Sequence, residues 1–233
     1  MADLQGSLFD EVPRANSDLP HESRMPLNQG ERKVYSVLMR DLCAEGGALV
    51  ITGYSGLDQL IHLINQRGES KGLLRLMLGS EPGPSKRGDF TLKRYDFDVE
   101  MRAYWLKRGI SLRLSGQLIH CMELIRDGHV QVRYPLGQHR VHAKLYCTQD
   151  AVTLGSSNFT EPGLFYQHEA NARFASKEKS RFQEAWKLAE HFWANGRDAN
   201  DELLALLEQL LKFVTWQEAL ARACAELLEG DWA

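Results

Sequence analysis

The chain has 233 residues, 43% of them hydrophobic and 25% charged, with a net charge of −3. That is enough to bury one sizeable core, and no apolar run approaches the about 20 residues that a membrane-spanning helix needs. The acidic balance excludes a surface uniformly coated in positive charge. Cys43, Cys121, Cys147 and Cys224 are widely spaced with no CxxC pair, which predicts reduced thiols in a cytoplasmic protein, not a disulfide or zinc framework.

In chain order, residues 1–29 lack the basic-then-apolar pattern of a secretion leader and are expected to be disordered. ERKVYSVLMRDLCAEG reads as a first helix, with Val34, Val37, Leu38 and Leu42 at near-helical spacing. ALVITGY (48–54) is apolar and β-branched, a buried strand ending at a glycine. SGLDQLIHLINQ follows as a helix started by Ser55. GLLRLMLG (72–79) is a second strand, and EPGPSKRG is a loop, marked by two prolines and two glycines. Helices are expected over 96–108 and 115–128. HVQVRYP, VHAKLYC, AVTLG and EANARF supply four more strands. Strands alternating with helices predict an α/β/α sandwich with a mixed or largely parallel sheet. From Ser176 onward the pattern is helical throughout, so 30–175 reads as the α/β domain and 176–233 as a helical C-terminal extension.

Charge is unevenly placed. Residues 71–113 hold ten Lys or Arg against five Asp or Glu, whereas 176–233 hold seven against eleven. A local basic excess can serve phosphate contacts even in an acidic chain; Lys86, Arg87, Lys93 and Arg94 are candidates for such contacts.

The stretch 141–160, VHAKLYCTQDAVTLGSSNFT, carries the chemistry. Alternation along a strand sends Val141, Ala143, Leu145 and Cys147 to one face, and His142, Lys144 and Tyr146 to the other. Taken alone, HxK fits the wet face of an edge strand. GSSN changes that reading: AVTL returns as a neighbouring strand ending at Gly155, which places Ser156 and Asn158 beside the HxK strand. The result is a cluster of donors suited to a phosphate's oxygens, with Gly155 and Ser157 as further substrate-side candidates. Of the remaining histidines, His62 and His120 fall in helical patterns, His139 in a loop, and His168 stands next to Glu169.

HAKLYCTQDAVTLGSSN resembles the HxK…GSxN signature of the phospholipase D superfamily of phosphodiesterases and nucleases. His142, Lys144, Gly155, Ser156 and Asn158 match it. Glu169 lies where members of that family carry an acidic residue supporting the nucleophilic histidine. The family's aspartate, five positions after the lysine, is Gln149 here, and Asp150 follows; a register shift would let Asp150 substitute. The resemblance covers roughly 30–175. ALVITGYSGLDQLIHLI and LLRLMLG look like the opening of the phospholipase D-like domains at the front of Snf-like helicases, in which an ATP-driven motor follows.

The resemblance implies that His142 is nucleophile or acid, Lys144 the charge stabiliser, Ser156 and Asn158 phosphate ligands, and that Glu169 accepts the other ring proton of His142. It implies no metal or cofactor. Among eight histidines only His142 has a lysine two residues later, so one chain holds half a site, and a homodimer would complete it. The expected function is a metal-independent DNA endonuclease or phosphodiesterase working through a phosphohistidine. The alternative is a non-catalytic nucleic-acid-binding module of a helicase-type protein. Lipid chemistry is disfavoured, since there is neither a membrane segment nor an obvious interfacial helix.

Overall fold

The computed structural model describes residues 20–79, 112–136, 141–212 and 224. Lys86, Arg87, Lys93, Arg94, His139 and the helix expected over 96–108 lie outside the described residues. The elements run α1 (Val34–Leu42), β1 (Ala48–Thr52), α2 (Leu57–Arg67), β2 (Leu74–Leu78), α3 (Leu112–Arg126), β3 (Val130–Pro135), β4 (Leu145–Thr148) and β5 (Ala151–Gly155). A single π-helical turn (Pro162–Tyr166), β6 (Asn171–Ala175), α4 (Lys179–Ala194), β7 (Gly196–Asp198) and α5 (Asn200–Lys212) follow.

The strands form one seven-stranded sheet in the order β6-β5-β4-β1-β2-β3-β7. Pairing is parallel across β1-β2 and β2-β3 and antiparallel elsewhere, so the sheet is mixed. Parallel strands joined by helical crossovers are covered on both faces, which is why ALVIT and LRLML read as nearly continuous apolar runs. Alternation sorts them. Val50, Leu74, Leu76, Val130, Val132 and Tyr146 meet helices α1, α2, α3 and α5. Leu49, Ile51, Met77, Leu145, Cys147 and Val152 meet Ala185, Ala189 and Trp193 of α4. A leucine or isoleucine fully removed from water contributes about 1.5–3 kcal/mol. The fold is therefore the expected α/β/α sandwich. Among the described residues no helix is long and apolar enough to cross a membrane, and all four cysteines are free thiols.

Three expectations meet a different structure. Helix α4, expected in an appended segment, supplies the described helical cover of one face of the sheet. The region after Ser176 is not helical throughout, because Gly196–Asp198 pairs antiparallel with β3. Residues 20–29, expected to be disordered, lie against the domain. Asn28 is buried; its Nδ2 donates to the carbonyls of Gly163 (3.1 Å) and Gln167 (2.9 Å), and its Oδ1 accepts from the Val34 N–H (2.9 Å). That last bond satisfies an orphan donor at the start of α1.

Candidate functional site

The last residue pair between β1 and β4 is Ile51 with Leu145. Strand pairing stops there, so residues 141–144, expected as strand, lie before the start of β4 while still running close to the segment that follows β1. Side-chain alternation nonetheless holds: Val141, Leu145 and Cys147 join one core, and Tyr146 packs in the other. The Tyr146 phenol donates to the Ser157 carbonyl at 2.7 Å, and burial pushes its pKa up. Tyr146 is thus core, while His142 is exposed and Lys144 is buried at 5% exposure.

Lys144 Nζ donates to the His142 carbonyl at 2.7 Å and lies 2.9 and 3.1 Å from the two ring nitrogens. A cation nearly equidistant from both nitrogens cannot meet either lone pair in the ring plane without striking the carbon between them. It therefore rests over the imidazole face. Burial holds this ammonium below its usual pKa, and the Glu169 charge pulls the other way.

The residues that follow β1 also pack against His142. A Cβ on Gly53 would stand 3.0 Å from His142 Cδ2, 3.2 Å from its Cα and 3.5 Å from Asn158 Oδ1. Tyr54 meets the imidazole edge-on, with centroids 5.8 Å apart and planes at 82°. Asn158 Oδ1 accepts the Tyr54 N–H at 3.1 Å. The Thr52 hydroxyl donates to the Tyr54 carbonyl at 2.6 Å and accepts the Phe159 N–H at 3.1 Å. The GYSG and GSSNF loops are thereby laced together beside His142.

Ser156 is exposed, and its hydroxyl donates to Glu169 Oε2 and accepts the Ala170 N–H at 2.9 Å. Among the described residues, then, the hydrogen-bond donor to Glu169 is Ser156 and not the His142 ring, which corrects the expected orienting role. Glu169 influences the site through its charge near Lys144 and by holding Ser156. Ser157 is also corrected. It is fully buried; its hydroxyl accepts from Asn171 Nδ2 at 2.9 Å and its N–H reaches Asn171 Oδ1 at 3.4 Å. With its carbonyl taken by Tyr146, it has nothing to offer a substrate. Gly155 serves packing, since a Cβ there would fall 2.3 Å from Asn171 Oδ1 and 2.4 Å from the Ala170 carbonyl.

The β4–β5 register is intact, pairing Leu145, Tyr146 and Cys147 with Leu154, Thr153 and Val152. No shift brings in Asp150, which is exposed. Gln149 Nε2 donates to the Glu45 carbonyl at 3.1 Å and ties the hairpin turn to the loop before β1. The departure from the family signature leaves the strand undisturbed.

Gly53, Tyr54 and Asn171 escaped the sequence reading. The one signal, for Gly53 and Tyr54, was a glycine at the carboxyl end of a parallel strand, where ligands of α/β sheets gather; Asn171, on the antiparallel strand β6, gave none. What assembles is an exposed imidazole, an ammonium on its face, and hydroxyl and amide groups at the same rim.

No protein-family model and no curated protein matches the chain. Among solved structures, phosphatidylserine synthase from Haemophilus influenzae Rd KW20 is similar, with a TM-score of 0.50 and 12% identity over 86% of this chain. The chain spans 46% of that protein's length. Nuc from Salmonella typhimurium, a phospholipase D family member, matches with a TM-score of 0.44 and 16% identity over 70% of this chain and 88% of that one. NucT from Helicobacter pylori matches with a TM-score of 0.41 and 11% identity over 71% and 90%. The likeness to the synthase is one of fold.

Proposed function

We propose that this chain is a phosphodiesterase of the phospholipase D type, acting on DNA without a metal at a site shared by two copies. The observation that carries the reading is the exposed His142 ring with the Lys144 ammonium lying on its face. Imidazole titrates around pH 6.5, so both of its forms are accessible near neutrality. An imidazole nitrogen attacks phosphorus while the P–O bond to the leaving group breaks, giving a phosphohistidine. The second copy's His142, as imidazolium, gives its proton to the departing alkoxide. Water then loses a proton to that neutral ring and attacks phosphorus, releasing the first histidine. Lys144 offsets charge on the non-bridging oxygens, and Ser156 and Asn158 bind them.

DNA is favoured by the basic excess of residues 71–113. A fused or associated motor is part of the same proposal, resting on the helicase-like opening strands. Purified protein is expected to cut an oligonucleotide in excess EDTA, His142→Ala to abolish cutting, and sedimentation to give a dimer. Activity that depends on added divalent ions, or a monomer that still cuts, overturns the mechanism. Binding that weakens steeply with salt and never leads to cutting identifies the chain as a binding module instead.

A further inference from the structure

Tyr54 is held in place more firmly than an exposed side chain requires. Its N–H is bound by Asn158 and its carbonyl by Thr52, so the direction of its Cβ is fixed at the end of β1. The side chain does not enter either core. It is 40% exposed, stands edge-on to His142 at 5.8 Å, and its phenol has no hydrogen-bond partner among the described residues.

We infer that Tyr54 is a stacking platform for an unpaired nucleobase next to the scissile phosphate, making single-stranded nucleic acid the substrate class. The inference rests on the phosphodiesterase reading above. An attacked phosphorus lies about 3–3.5 Å from the ring nitrogen. The tyrosine ring therefore stands within one nucleotide of the bond being broken. A base paired within a duplex is stacked on its neighbours and cannot turn onto the ring, whereas an unpaired base can. Every base has a π-face, so the platform discriminates strand state and not sequence. The ring that faces His142 is assigned as the working part, and Tyr54→Phe, which keeps the ring and removes the hydroxyl, separates the two.

The test uses the His142→Ala protein, so that binding is read without turnover. Its substrates are a fluorescent single-stranded tetranucleotide and the same backbone with every base replaced by an abasic sugar. The protein retaining Tyr54 is expected to bind the base-containing strand about tenfold more tightly than the abasic one. Tyr54→Leu is expected to erase that ratio, and Tyr54→Phe to keep it, with unchanged melting for both. A ratio unaffected by Tyr54→Leu, or lost in Tyr54→Phe, overturns the inference. So does a Tyr54→Leu protein that sediments as a smaller species, since Tyr54 would then belong to the contact between copies. Cleavage is scored separately in proteins retaining His142. A Tyr54-dependent ratio without cleavage would sink the phosphodiesterase reading and leave the platform standing; cleavage without the ratio would do the reverse.

Discussion

Gly53 and His142 are 89 positions apart in sequence and touch at the sheet end, where a Cβ on residue 53 would come within 3.0 Å of His142 Cδ2. Its backbone φ is not in the left-handed region, so glycine is needed for space and not for conformation. Gly53→Ala is expected to push the imidazole aside by a few tenths of an ångström while the fold persists. Misplacements of up to about 1 Å cost as much as 10²-fold in rate. Cleavage should therefore fall by about one to two orders of magnitude, with circular dichroism and melting temperature nearly unchanged. Full activity in this variant would show that the imidazole is not confined at residue 53.

Lys144 is expected to work against stability while serving function. Its ammonium is buried and its pKa is held down, first by loss of water and against the pull of Glu169. A lowered native pKa means that the unfolded chain binds more protons between that value and the ordinary 10.5. The stability this group contributes therefore rises as pH climbs through that window, and its cost is present in full at neutral pH. Lys144→Met should melt higher than the parent near neutrality, with the gap closing as pH rises toward 10.5. Cleavage should drop by about 10²–10³-fold, the usual consequence of losing one preorganised donor. A variant that melts lower at neutral pH would contradict the desolvation argument.

The sequence was most legible where one element's residues sufficed to define it. β1, β2, β3, β5 and β6 appear within a residue or two of their expected places; β1 and β2 are nearly continuous apolar runs, and the start of β3 shows the alternation of a strand. His142 and Lys144 emerged because two residues two apart in one chain carry their own spacing. What stayed hidden depends on partners distant in sequence. β7 is three residues, Gly-Arg-Asp, with no alternation to read, and it is a strand only because β3 lies beside it. Residues 20–29 carry little apolar surface and look disordered, yet Asn28 finds acceptors 135 and 139 positions away. The partner of Glu169 was misassigned because a family signature records which residues occur together and not which of them touch. The exchange of Ser156 for His142 as that partner needed the β5–β6 register.

Asn171 bonds to two segments that the chain places far apart. Its Nδ2 donates to the Ser157 hydroxyl at 2.9 Å and the Pro26 carbonyl at 3.0 Å, and it is 6% exposed. Removing it leaves buried acceptors without a donor, at about 1–3 kcal/mol each. Asn171→Ala should lose about 2–4 kcal/mol in urea unfolding, and protease should cut earlier within residues 20–29. Unchanged protease sensitivity would mean that the Pro26 contact does not hold the segment down.

Asp41 and Arg173 form a two-point ion pair between α1 and β6, with Nε–Oδ2 at 2.5 Å and Nη2–Oδ1 at 3.0 Å. Both side chains are mostly buried, at 12% and 15% exposure. Arg173 also donates from Nη1 to the Ser23 carbonyl, and its N–H reaches the Arg24 carbonyl. Breaking such a pair from one side strands a buried charge and costs about 3–5 kcal/mol, whereas replacing both partners with apolar groups is often neutral or stabilising. Asp41→Leu alone is thus expected to be strongly destabilising, and Asp41→Leu with Arg173→Met to recover most of the loss. The cycle, completed with Arg173→Met alone and read by urea unfolding, should give a large favourable coupling between the two changes. Simple additivity would mean that the bonds to Ser23 and Arg24, not the charge pair, are what Arg173 contributes to this edge of the sheet.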